Sequence, residues 1–140
     1  MGVFFYIGKA FQMRKESDFL IVNGVKFPCP APGMEIIHSQ TVNAGRNANN
    51  AVIGQKVGRR LWKINNLQWN GLDADTWKKM KKALEPFYVP VTFTTDENER
   101  ITITMYPSDT NGQPLFLQDD NVHYRNYRTC KFNLIDCGWE

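Results

Sequence analysis

The chain has 140 residues, of which 42% are hydrophobic, 22% charged and 13% aromatic. That composition fits one globular domain and excludes disorder throughout. At this length folding buries about two thirds of the surface of the unfolded chain, so a separate second domain is not expected. The net charge of +3, from 17 Lys and Arg against 14 Asp and Glu, is too mild to imply a nucleic-acid partner.

Three cysteines, Cys29, Cys130 and Cys137, form neither an even framework nor a CxxC pair. They point to a reducing compartment, with the cytoplasm as the site of folding. The opening MGVFFYIGKAF has no basic residues ahead of its apolar run and falls short of the ~18 residues of a spanning helix, so it reads as neither signal peptide nor anchor. Tyr6 stands where a myristoylation motif requires Ser or Thr. An N-terminal arm or edge strand over 1–18 is the simpler reading, with an exposed charged break at Arg14 to Asp18.

Phe19 to Val22 and Val25 to Phe27 flank Asn23-Gly24, the pair that best tolerates the positive φ angles of a type I′ turn, which predicts a tight hairpin. Pro28, Pro30 and Pro32 then remove backbone donors and carry the chain away. A strand resumes over Met34 to Val42. The stretch Asn43 to Gln55 (NAGRNANNAVIGQ) has little apolar content before Val52 and Ile53 and reads as a long loop. Loops of this length in compact domains are functional or mobile, so it is either an interaction arm or a surface loop. From Val57 to Trp69 the alternation slips near Asn65-Asn66, where a β-bulge or a local twist must move later side chains to the other face.

Asp73 is placed to cap a helix over Ala74 to Leu84, with Asp75 in its first turn and Pro86 beyond its end. Trp77, Met80 and Leu84 share the inward face. Lys78, Lys79, Lys81 and Lys82 fill the rest, a pattern that more often marks a solvated face than a phosphate-binding patch. Val89, Val91 and Phe93 alternate with Thr92 and Thr94. Ile101, Ile103 and Met105 alternate with Thr102 and Thr104, so this is a half-buried hairpin whose threonine face suits solvent or a neighbouring subunit. Pro107 to Gln113 reads as loop, Leu115 to Leu117 as a short strand, and Asp119-Asp120-Asn121 as a turn. The last strand, Arg125 to Ile135, turns Cys130, Phe132 and Leu134 to one side. About eight strands and one helix, all on short links, make the chain mainly β (α+β), an antiparallel β-sandwich or barrel with one flanking helix.

Chemistry is sparse. His38 and His123 have no Cys or His at zinc spacing, Asp119 and Asp120 are better turn formers than paired carboxylates, and no phosphate loop or hydrolase elbow occurs. No catalytic residue, metal or cofactor is expected. Arg59, Arg60 and Lys63 interleave with Trp62 as a stacking groove for single strands requires, although charged edge strands look the same.

Taken in order, the phrases FLIVNGVKFPCP, VGRRLWKINNLQWNGLDADTWKKMKKAL, VPVTFTTDENERITITMYPSD and YRTCKFNLID resemble the small tail proteins of long-tailed phages and prophages of Gram-positive bacteria. The matching residues are Asn23, Gly24 and Pro28, then Arg59, Arg60 and Trp69, then Leu72 and Trp77, and finally Phe132 to Ile135. The N-terminal extension and Asn65, where an apolar strand residue is usual, depart from the pattern. The resemblance implies a tail-tube or distal-tail fold, a self-associating ring, usually hexameric, beside neighbouring tail or baseplate proteins, and a channel that passes phage DNA without binding it specifically. It implies a virion protein assembled in the host cytoplasm, with no membrane partner and no enzymatic activity. On that view the candidate subunit contacts are Arg46, Asn47, Asn49, Asn50, Val52 and Ile53 of the loop and Thr92, Thr94, Thr102 and Thr104 of the hairpin. A β-barrel module for single-stranded nucleic acid or a glycan is the alternative; a wall hydrolase built on Asp119, Asp120 and His123 is a third reading.

Overall fold

The computed structural model describes residues 16–139, without the side chains of Asn43, Ala44 and Ile53. The strand expected within the N-terminal arm lies outside these residues. Eight strands and one helix follow in the order β1 (Glu16–Val22), β2 (Val25–Pro28), β3 (Glu35–Arg46), β4 (Val52–Asn70), α1 (Ala74–Ala83), β5 (Val89–Thr94), β6 (Arg100–Pro107), β7 (Asn111–Leu117) and β8 (Tyr124–Asp136). Glu16 to Asp18, expected as part of a break, instead begin β1, where Lys26 on the partner strand pairs with Asp18 at 2.8 Å.

Every pairing is antiparallel, and the strands run β2-β1-β5-β6-β8-β4-β3 with β7 also on β8. β8 is the axis of the sheet. One of its edges holds β4; along the other, β6 pairs with its C-terminal end (Met105 opposite Asp136) and β7 with its N-terminal half (Gly112 opposite Cys130). The segment expected as loop over Pro107 to Gln113 therefore shrinks, because β8 offers β7 free backbone groups from Asn111 onward.

The sheet folds over one core. Phe27 of β2 meets Trp69 of β4 and Phe132 of β8 edge-on, with ring centroids 6.1 and 6.5 Å apart. Phe93 of β5 meets Trp62 of β4 at 6.2 Å. Beyond β2, the Ala31 N–H donates to the Gln68 carbonyl at 2.7 Å and draws the first strands toward β4. The result is a sandwich close to a barrel. Trp69 is completely buried, and its indole N–H donates to the Pro28 carbonyl at 2.8 Å, which gives the one polar atom of that ring a partner.

α1 closes one end of the core. Asp73 caps it: one carboxylate oxygen accepts the Thr76 N–H at 3.1 Å and the other accepts the Thr76 hydroxyl at 2.6 Å. Trp77, Met80 and Leu84 are buried as their spacing predicts. The helix ends one residue early, at Ala83, where the Leu84 N–H turns to the Lys81 carbonyl at 3.1 Å. Gly112 of β7 lies so close that a Cβ there would sit 2.8 Å from the Trp77 indole nitrogen, which explains glycine at that strand position.

The β1–β2 hairpin turns on Asn23 and Gly24 at φ 51° and 78°. The slip near Asn65-Asn66 is a bulge: β4 shifts register against β8 between Ile64 and Leu67, and Asn66 stands at φ 61°. Ile64, Leu67 and Trp69 consequently share the buried face.

Candidate functional site

The segment 43–55 is a two-stranded ribbon, and the expectation of a structureless loop is corrected. β3 and β4 pair from Thr41 opposite Val57 to Arg46 opposite Val52, a reach of roughly 20 Å at ~3.4 Å per residue. Asn47 builds the tip. Its side-chain oxygen accepts the N–H groups of Asn49 and Ala51, both at 3.0 Å, and its own N–H donates to the Ala51 carbonyl at 3.0 Å. Asn50 turns at φ 64°, and its carbonyl receives the Arg46 guanidinium at 2.8 Å. The asparagines that suggested a loop thus supply the turn, and the strands on either side need only backbone pairing.

Among the described residues the ribbon has no second layer. β4 meets β8 only from Lys63 onward, so among the described residues the outer edges of both ribbon strands are unpaired and nothing covers either face. Val42, Val52 and Val57 are 51%, 62% and 50% exposed. An isolated two-stranded hairpin is marginal in water, and unpaired edges invite another strand. No acidic residue occurs from Ile36 to Leu72, so the ribbon's charge, from Arg46 and Lys56, is wholly positive.

The base of the ribbon is fixed. Between Ser39 and Thr41 the register shifts, leaving Gln40 opposite the run Gly58 to Arg60. The Gln40 amide donates to the carbonyls of Thr41 and Gly58 at 3.0 and 3.1 Å, and Gly58 bends the strand at φ 71°. Beside it Arg59, expected on an exposed basic edge, pairs instead with Asp136 of β8 through two bonds of 2.7 and 2.6 Å. The Asp136 carboxylate is fully buried and also accepts the N–H groups of Trp62 at 3.0 Å and Gly138 at 2.8 Å. Burial pushes this carboxyl up, but the Arg59 guanidinium and the two backbone donors outweigh it and hold it below the ordinary aspartate value. Asp136 and Gln40 went unrecognised in the sequence. Asp136 did carry a signal: it continues the alternation of Cys130, Phe132 and Leu134, an acidic residue at a core-facing position.

The threonine face lies elsewhere. β5 and β6 are separated from the ribbon strands by β8 in the sheet order, so the two sets of candidate contacts form different patches. The Thr92 and Thr102 hydroxyls bond each other at 2.7 Å, and Thr94 accepts from Arg100 at 3.1 Å. Thr104 is half-buried.

Of the residues suggested for a stacking groove, Arg59 is engaged by Asp136. Trp69 has no exposed surface, and one face of Trp62 is covered by His38, stacked at 3.6 Å with 7° between the rings. Exposed Phe87, Tyr88 and Trp139 gather at the α1–β5 junction around half-buried Tyr106, with ring centroids 4.8 to 6.3 Å apart. Asp120 and His123 form an exposed turn: Asp120 accepts the N–H groups of Val122 and His123 and touches the His123 ring nitrogen at 2.6 Å. The His123 and Val122 N–H groups, with the imidazole, lower that carboxyl to about 2.

Among the described residues no three His, Cys, Asp or Glu side chains gather as a metal-binding group, and no helix is long and apolar enough to cross a membrane. No protein-family model, curated protein or solved structure matches the chain.

Proposed function

We propose that this chain is a structural subunit of a phage tail, assembling into a closed ring, with a hexamer as its expected size, at the distal tail, the baseplate hub or the tail tube, and lining part of the path of the DNA. The observation that carries the proposal is the ribbon: two paired strands, open on both faces and both edges among the described residues, with three half-exposed valines on a base held by the part-buried Arg59–Asp136 pair. Such an element is completed by a neighbour. Covering the exposed halves of the valines contributes on the order of 1 kcal/mol each, and the free edges add backbone pairing of the strand-addition kind. The ordered resemblance to small phage tail proteins supplies the identity of the assembly.

A ring needs head-to-tail contacts between two different patches on each subunit. The ribbon and the threonine face are such a pair, lying on different strand pairs of one sheet. Of the features behind the nucleic-acid or glycan reading, Trp69 is buried and one ring face of Trp62 is covered by His38, while the lysines of α1 stay exposed. Electron microscopy and native mass spectrometry of purified particles test the proposal. Rings built from this chain support it, and its absence from the particles, or its presence there only as a monomer, overturns it.

A further inference from the structure

Two compact patches of opposite charge stand without ion pairs among the described residues. Lys78, Lys81 and Lys82 share one face of α1, all exposed, and none joins an ion pair among the described residues, whereas Lys79 is held by Glu16 at 2.6 Å. Lys81 and Lys82 suit the negative end of the helix dipole, but Lys78 lies a turn earlier. Lys78 stands at i, i+3 and i, i+4 from Lys81 and Lys82, like-charge spacings that oppose helix formation, with Asp75 a turn before and Glu85 a turn after as the local counter-charges. The three lysines form one wall of a cleft of about 740 Å³, and Tyr124, Tyr127 and Val122 of the β7–β8 hairpin form the other.

The complementary patch is the β5–β6 turn. Asp96, Glu97 and Glu99 are exposed and without ion pairs among the described residues. The turn is closed by the Thr95 N–H on the Glu99 carbonyl at 2.8 Å and the Asn98 N–H on the Thr95 carbonyl at 3.0 Å, with Asn98 at φ 64°. It is a preorganised acidic knuckle, which lowers the entropic cost of docking.

We propose that the acidic β5–β6 turn of one copy seats in the lysine cleft of the next. Each copy carries one of each, so the contact runs head to tail and propagates around a ring, and in this it rests on the ring reading above. A second copy fits better than an extended polyanion. Asp75 and Glu85 flank the cleft and limit its positive stretch to three lysines, which matches three carboxylates.

Charge exchange in the full chain, followed by sedimentation velocity at low and high salt, tests this. Lys78→Glu/Lys81→Glu/Lys82→Glu and Asp96→Lys/Glu97→Lys/Glu99→Lys should each weaken self-association at least about tenfold. Their mixture, and the chain carrying all six changes, should regain it, with the wild-type contact weakening as salt rises. Neutral replacements (Lys→Gln; Asp→Asn and Glu→Gln) at the same positions should weaken it as well and serve where reversal disturbs folding, monitored by circular dichroism. Oligomers unaffected by either set overturn this contact and leave the ring reading standing. A wild-type chain that is monomeric at every concentration overturns both. Loss of heparin binding on lysine reversal, with association unchanged, assigns the cleft to a polyanion and also overturns the proposal.

Discussion

Replacing Asp136 by alanine should be the most damaging single polar substitution in this protein. It removes a buried carboxylate that accepts two bonds from Arg59 and one each from the Trp62 and Gly138 N–H groups. Breaking a buried ion pair from one side costs ~3–5 kcal/mol. Arg59 retains 31% side-chain exposure and can recover some hydration, which puts the expected loss near the low end, about 3 kcal/mol. Arg59→Lys keeps the charge but not the two-pronged geometry and should lose less, about 1–2 kcal/mol. The Asp136 carboxyl is held below its ordinary value, and the unfolded group titrates near ~3.9. The unfolded chain therefore binds more protons in the interval between the two values, and stability rises with pH there. The stabilisation is complete above about pH 5 and fades as the pH falls through the folded value. Urea midpoints for wild type and Asp136→Ala at pH 7, 5 and 3 measure this directly. The gap should be widest at pH 7 and narrow at pH 3; a gap under about 1 kcal/mol at pH 7, or one that widens on acidification, would refute the reasoning.

Other consequences follow from the core and the thiols. Trp69→Phe removes the indole bond to the Pro28 carbonyl and leaves a gap in a fully buried site, for an expected loss of about 1–3 kcal/mol by urea unfolding; an unchanged midpoint would contradict it. Gly112→Ala drives a methyl to 2.8 Å from the Trp77 ring and should cost about 1–3 kcal/mol with a shift in tryptophan fluorescence. Wild-type fluorescence and stability in that variant would show that β7 yields freely. Exposed Cys29 should react with a thiol reagent at once at pH 8, whereas Cys130, pushed up to about 12 by burial, should stay silent until the chain unfolds. Rapid labelling of Cys130 in the folded protein would place β8 outside the core.

Where burial dictated the pattern, the fold was legible in the sequence. The β5–β6 alternation, the Asp73 cap, the Asn23-Gly24 turn and the bulge at Asn65-Asn66 each follow from a local rule that the core reinforces. The ribbon was not legible, because Asn and Gly have low strand preference and no buried face imposes a period of two on 43–55. Arg59 was misplaced for a related reason: its partner lies 77 residues away, and nothing local separates an exposed arginine from one that enters a pocket. Of the candidate contacts, Arg46, Asn47 and Asn50 turn out to build the ribbon tip through their own hydrogen bonds, while Val52 remains open to solvent. The side chain of Ile53 falls outside the described ones.

Amide hydrogen exchange over residues 41–57, compared between the free chain and the assembled particle, tests the central claim most directly. In the free chain the ribbon, paired among the described residues only with itself, should exchange far faster than β5, β6 and β8. On assembly its protection should rise by about a hundredfold or more as a neighbour covers its edges and faces. Ribbon amides that exchange equally fast in both states would show that no neighbour engages this element, and the account of the chain as a ring-forming tail subunit built around it would fail.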